Sequence, residues 1–382
     1  MMKTVFRQEL GLVFGAVTTA LFYIFSSVLL GELAPNFKST ALFLWVFATM
    51  LWCAFGVVRH ADGLAHLLGE PYGTLILTLS VISIEVSLIA AIMLAGENEP
   101  TLARDTMFAV LMIVLNGMVG VALLLGGLRH REQHYNLHGA KAFLAIIVPL
   151  AVMTLVLPVF AGSPRLRAFT PGQKAFFATT TILLYGVFLS IQTLRHSNYF
   201  LQPSARIKPP LDDGNASPDE EATHAAHKHR AIRSAPYHGA FLILTMLPVV
   251  LLSKKLALFV DFGIERIGAP AAFGGLIIAI LVLAPEGLGA FRAALANQLQ
   301  RSVNILLGSA LATIGLTVPA VLTIGLTTKR AVELGLNDLE MVLLLLTLAV
   351  STLTFTGGRT NILQGAVHLM LFLVYVVLIF NP

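Results

Sequence analysis

Leu79-Ser80-Val81-Ile82-Ser83-Ile84-Glu85-Val86-Ser87-Leu88 sets one acid in the middle of an apolar run of helical length. Moving 201 positions along the chain lays Glu85 on Glu286, which stands in Ala284-Pro285-Glu286-Gly287-Leu288-Gly289-Ala290. The same register lays Gly73 on Gly274, Leu75 and Ile76 on Leu276 and Ile277, and Ala95 on Ala296. Each copy follows a Gly-x-Pro entry, Gly69 to Pro71 in the first and Gly268 to Pro270 in the second. Two related segments thus hold their only acid at one matching position, which points to an internal repeat.

Outward from these segments the chain stays apolar. Of its 382 residues 57% are hydrophobic and 12% charged, whereas a soluble globular chain carries about a quarter charged residues. Such a chain has too little polar surface for water, and runs of about twenty apolar residues are long enough to cross a hydrocarbon core as helices. Eleven spans are expected, at 9–30, 39–58, 72–95, 105–127, 141–160, 173–193, 239–256, 270–294, 302–326, 340–356 and 362–380. The first begins after Lys3 and Arg7, but it is too long for a secretion signal and no small-residue cleavage site follows it. The expected fold is an all-α polytopic membrane protein with about eleven transmembrane helices, two inverted repeats and a central polar linker.

Residues 1–38 form an extra first helix, 39–194 the first transmembrane half with repeat 1, 195–238 the linker, and 239–382 the second half with repeat 2. The linker is rich in Pro, Asp, Glu and His and reads as disordered. Glu85 falls on the third span and Glu286 on the eighth, so five crossings separate them and their helices run in opposite directions. Inverted repeats of this kind put a transport site at their interface, near the bilayer midplane. Lys and Arg are in excess on the side that shares the amino terminus, and the linker supplies that excess, so the amino terminus is placed in the cytoplasm.

An ionised carboxylate at mid-depth costs at least ~2.5 kcal/mol. Each glutamate must therefore be protonated, paired or bound to a cation. Two facing carboxylates can be neutralised by two protons or by one divalent cation, and the empty, doubly charged site is the disfavoured state. If only neutralised states cross, cation and proton movements are coupled. Hard cations want several oxygen ligands. Thr78, Ser80, Ser83 and Ser87 surround the first acid, with Asn116 on the next span, and Ser309 and Thr313 stand on the span after the second acid. Pro285 cannot donate to the carbonyl of Leu281, which frees an oxygen one turn from Glu286. Gly287 and Gly289 admit a neighbouring helix. Taken singly, the hydroxyls suit backbone bonding within a membrane helix as well as they suit ion binding.

Other classes fit less well. The single cysteine, Cys53, excludes an internal disulfide and cysteine metal clusters. A net charge of +5 spread among connectors gives no nucleic-acid signal. No nucleophile or phosphate loop accompanies the two acids, so an enzyme is not expected. A cation channel without proton coupling is the alternative. Of eleven histidines only His368 falls inside a span, and the rest fall on the side assigned to the cytoplasm, where they suit either solvated loops or a pH sensor.

The segment Val58-Arg59-His60-Ala61-Asp62 through Leu68-Gly69-Glu70-Pro71-Tyr72-Gly73, then Ile84-Glu85-Val86-Ser87-Leu88-Ile89, resembles the first repeat of the bacterial ChaA-type cation:proton antiporters of the calcium/cation antiporter superfamily. Ala284 to Ala290, Asn297-Gln298, Gln300-Arg301, Gly308-Ser309 and Leu316-Thr317-Val318-Pro319 resemble the second, and Gly358-Arg359-Thr360-Asn361 with His368 the carboxyl end. The resemblance implies an eleven-helix antiporter of the bacterial inner membrane that exports Ca2+, or Na+ or K+, against protons. It implies one site glutamate per repeat, Glu85 and Glu286. Its partners are the lipid bilayer, inorganic cations and protons; it needs no resident cofactor, and no oligomeric state is indicated. Where the wider calcium/proton exchanger pattern has Gly-Asn before each acid, this chain has Val81-Ile82 and Val282-Leu283.

Overall fold

A computed structural model of the chain describes residues 9–31, 33–68, 72–95, 100–161, 169–203, 234–270 and 272–380. All eleven expected spans are helical. They are α1 (Leu10–Ile24, continued by Ser26–Leu30), α2 (Phe37–Leu68), α3 (Tyr72–Ala95), α4 (Leu102–His130) and α5 (Leu137–Ala161). Then follow α6 (Pro171–Arg195), α7 (Ala235–Ile267), α8 (Ala272–Leu295), α9 (Leu299–Thr328), α10 (Asp338–Thr354) and α11 (Ile362–Phe380). Eight of these helices are long and apolar enough to cross a membrane unaided, and Leu10–Ile24 and Leu79–Ala90 are shorter apolar helices. Large apolar side chains such as Phe37, Phe176, Leu183, Ile243, Leu353 and Met370 face outward, which only a lipid surround tolerates.

Local chemistry sets the helix ends. Thr170 caps α6 in a reciprocal capping box with Gln173, followed by Pro171 in the first turn, and Asn337 with Glu340 does the same for α10. Two spans run farther than expected. α2 continues past residue 58 to Leu68, and α7 continues past residue 256 to Ile267, because no breaker intervenes. α7 stops where Gly268 takes the left-handed conformation (φ 65°). α7 also begins at Ala235, inside the stretch assigned to the linker. The Gly69 to Pro71 entry, the segment 204–233 and the histidines within it lie outside the described residues. At the start of the linker Gln202 Oε1 accepts from the Gln300 amide, and Asn304 Nδ2 donates to the Phe200 carbonyl.

His60, expected on a cytoplasmic loop as either a solvated residue or part of a pH sensor, is buried in the lengthened α2. It lies between Glu9 and His238, 3.0 Å from Glu9 Oε2 and 3.2 Å from His238 Nδ1. A two-residue β-bridge joins β1 (Gln133–His134) to β2 (Arg359–Thr360), linking the α4–α5 connection to the α10–α11 connection.

The core forms two bodies. α1, α2 and α7 pack together, with α2 and α7 antiparallel: Gly56 lies against Thr245 and Gly63 against His238. The other body is built from α4, α5, α6, α9, α10 and α11. The two glutamate helices lie between the bodies. On α3, Val81, Ile84 and Leu88 join the first body, and Ile82 and Ile89 join the second. On α8, Ile278, Leu281 and Val282 join the first, while Ala279, Leu283 and Ala290 join the second.

Candidate cation and proton site

Two hydrogen bonds fix how α3 and α8 face one another. Thr313 Oγ1 on α9 donates to Glu85 Oε2 at 2.9 Å, and Arg330, just beyond α9, bonds the Met93 carbonyl near the end of α3. α3 therefore runs parallel to α9. α9 is antiparallel to α8, to which a tight turn joins it. Glu85 and Glu286 consequently sit on helices of opposite direction, as the parity of the spans requires.

Both acids draw their donor from one helix. Ser309 Oγ donates to Glu286 Oε2 at 2.5 Å, and Ser309 and Thr313 are four residues apart on α9, a rise of about 6 Å. The two carboxylates thus straddle one turn of α9 and lie close enough to feel each other's charge. Glu85 is 3% exposed and its Oε1 has no hydrogen-bond partner among the described residues, whereas Glu286 is only half-buried. Residues Thr313–Thr317 are π-helical, and α4 has its own π-helical turn at Ile113–Met118. The two turns overlap in the register that lays Glu85 on Glu286, so the repeat extends to a backbone irregularity of a kind that gathers at functional sites.

The other expected site residues divide. Pro285 is buried in mid-α8, where it leaves the Leu281 carbonyl without its helical donor. A Cβ on Gly287 would lie 2.9 Å from Met118 Cε, so Gly287 does admit α4; Gly289 meets only Ile305 at an ordinary 3.8 Å. Ser83 is exposed on the outer face of α3 and donates to the Leu79 carbonyl at 2.6 Å, and Ser87 is half-buried one turn beyond it. Ser80 is buried and bonds the Ile76 carbonyl. The side chain of Thr78 lies outside the described residues. Asn116 is fully buried, but its amide donates to Thr347 Oγ1 on α10 at 2.8 Å rather than to a glutamate.

Thr317 stands in the sequence only as part of the Leu316-Thr317-Val318-Pro319 motif, not as a candidate ligand. Thr317 is buried one turn beyond Thr313, and its Oγ1 has no partner among the described residues. In the repeat register Ser309, Thr313 and Thr317 fall on Phe108, Met112 and Asn116, so the hydroxyl ladder belongs to one repeat only. Its signal was the four-residue spacing of three hydroxyls along one helix.

The family model for the sodium/calcium exchanger protein matches residues 38–194 and 238–381. The chain belongs to that family. Among relatives of the exchanger, it is 42% identical over 331 residues to the sodium-potassium/proton antiporter ChaA of Escherichia coli, covering 87% of this chain and 86% of the relative. It is 23% identical over 265 residues to a Ca2+/H+ antiporter of Aphanothece halophytica, covering 67% and 68%. The solved structure of native YfkE superposes with a TM-score of 0.70 at 18% identity, over 97% of this chain and all of that one. The H+/Ca2+ exchanger CAX superposes at 0.63 and 12% identity, over 97% and 88%. These likenesses show the exchanger fold.

The oxygens that this geometry brings together are those of Glu85, Glu286, Ser309 and Thr313, and among the described residues no three His, Cys, Asp or Glu side chains gather. Each hydroxyl can donate to a charged carboxylate or turn a lone pair toward a cation. Thr313→Val removes a charge-assisted hydrogen bond, a type that contributes ~1.5–3 kcal/mol. Its apparent affinity for the transported cation is therefore expected to fall by roughly tenfold or more, read from the cation dependence of transport. An unchanged affinity would remove Thr313 from the coordination shell.

Proposed function

We propose that this chain is a secondary antiporter that exports a cation from the cytoplasm in exchange for protons, with Glu85 and Glu286 holding either the cation or the protons. It works in the bacterial inner membrane with a cytoplasmic amino terminus. The observation that carries this is the geometry of the acids: two carboxylates from inverted helices, each bonded to a hydroxyl on adjacent turns of α9, between two packed bodies. A low-dielectric site with two negative charges is strongly biased toward neutral occupancy. A divalent cation neutralises both charges, and a monovalent cation with one proton does the same.

The relatives support both ion classes. One is named a sodium-potassium/proton antiporter and another a Ca2+/H+ antiporter. Ca2+ is the first candidate, since two carboxylates match its charge, and Na+ and K+ are the alternatives. Proton coupling distinguishes this function from a channel's.

The test is a panel of cations added to proteoliposomes that carry a pH gradient and a pH-sensitive dye. The transported cation is expected to dissipate the gradient with saturation, and control ions are expected to leave it intact. If no member of the panel dissipates it, exchange is refuted. If cations pass without moving protons, the chain is a channel.

A further inference from the structure

α4 is packed on two sides. Toward α8, Met118 meets Gly287; toward α11, Gly117 lies against Phe372 and Gly120 against Leu369. Between α4, α10 and α11 runs a second set of polar groups that contacts neither glutamate. Thr347, Ser351 and Thr354 recur along one face of α10 over about 10 Å, and all three are buried. Asn116 Nδ2 donates to Thr347 Oγ1, and Thr354 Oγ1 lies 2.9 Å from Nε2 of the fully buried His368. The ring lies on α11, which packs against the π-helical turn of α4, and makes no hydrogen bond to that turn among the described residues.

Three atoms on this line are buried without a hydrogen-bond partner among the described residues: Asn116 Oδ1, Ser351 Oγ and His368 Nδ1. One such orphan costs ~1–3 kcal/mol, and native structures satisfy buried polar groups with protein atoms or ordered water. Three along one helix face are spaced for bridging waters.

The two ends of the line are informative. At one end the Thr354 carbonyl accepts from Tyr135 Oη (3.4 Å), and Tyr135 Oη accepts from the Gly358 amide (3.2 Å), beside the exposed Thr356 and Gly357. At the other end Asn116 lies at the depth of Glu286. α4 and α8 run side by side in one direction, with Asp105 and Thr106 against Gly275, Met118 against Gly287, and His130 Nε2 2.9 Å from the Leu295 carbonyl. The line therefore connects the β1–β2 face of the protein with the level of the carboxylates.

We propose that ordered waters joined by Asn116, Thr347, Ser351, Thr354 and His368 form a proton route to Glu286, separate from the path of the cation. The step at His368 balances without leaving charge behind. Nε2 takes the Thr354 hydroxyl proton, Nδ1 gives its own proton to the next water, and the Thr354 hydroxyl is reprotonated from water at the Tyr135 end. The ring stays neutral in its other tautomer and resets by turning over. This route presupposes the exchange proposed above.

His368→Phe and Ser351→Ala test it in proteoliposomes, with two fluxes measured on each variant: proton movement driven by the cation, and exchange of radiolabelled for unlabelled cation, which needs no proton. Proton-coupled flux is expected to fall about tenfold or more while the label exchange stays within about twofold of the parent chain. Equal loss of both fluxes, or an unchanged proton flux, overturns the route. A parent chain that moves no protons refutes exchange itself. The route then stands or falls on a map that resolves water: waters on Asn116 Oδ1, Ser351 Oγ and His368 Nδ1 support it, and a dry stripe overturns it.

Discussion

Glu85→Gln and Glu286→Gln are each expected to abolish proton-coupled exchange while the chain still inserts and folds. Glutamine keeps the shape and the acceptor oxygen of glutamate, so the hydroxyl of Thr313 or Ser309 keeps a partner. It can neither ionise nor release a proton. A divalent cation entering such a site meets one charge where two are required, and breaking a buried charge pair costs ~3–5 kcal/mol, or roughly 10²- to 10⁴-fold in occupancy; a monovalent cation loses the proton that would accompany it, and with it the coupling. Glutamine is also cheaper than carboxylate in hydrocarbon, so the variants should not lose membrane insertion. Transport by the purified variants in proteoliposomes, alongside their size-exclusion profiles, checks both halves. Full transport by either variant would remove that glutamate from the site.

The second large effect falls on stability. The contact of α4 with α11 is made backbone to backbone: a Cβ on Gly365 would lie 2.6 Å from the Leu124 amide nitrogen, and a Cβ on Gly120 would lie 2.8 Å from the Leu369 amide nitrogen. Neither obstacle is a flexible side chain that could move aside. Close approach at small residues is how membrane helices gain packing without a hydrophobic drive. Gly365→Leu must separate α4 from α11, and overpacking of this kind costs ~1–3 kcal/mol or more. The folded fraction and the thermal midpoint in detergent should fall sharply. A Cβ on Gly289, by contrast, lies at an ordinary 3.8 Å from the movable end of the Ile305 side chain, so Gly289→Leu should be tolerated far better. Equal thermal midpoints for the two variants would show that the α4–α11 seam does not limit stability.

The features legible in the sequence were those set by solvation and by repeat. Apolar runs announced the helices because a membrane helix has no other way to satisfy its backbone. The shared register of Glu85 and Glu286 marked the candidate site, and the parity of the spans announced the antiparallel run of its two helices. The ends of α2 and α7 were missed because the criterion was apolarity. Both helices continue as polar turns beyond their apolar runs, through Arg59 and His60 in one and through Asp261, Glu265 and Arg266 in the other.

The hydroxyls were harder to read because a helix offers several faces and the sequence does not say which of them meets lipid. Ser83, only two residues from Glu85, points outward, while Thr313, on a helix distant in sequence, donates to Glu85. Asn116 shows the same difficulty. Its repeat partner is Thr317, beside the site, yet its own amide reaches α10, because α10 and α11 pack against α4.

The central claim is that cation and protons compete for the same two carboxylates. Calorimetric titration of the purified chain with the transported cation, in buffers of different ionisation enthalpy, counts the protons released as the cation binds. Release of protons by the parent chain, and its loss when both glutamates are replaced by glutamine, is the predicted result. Cation binding with no proton release, or unchanged release from the doubly substituted chain, would contradict it.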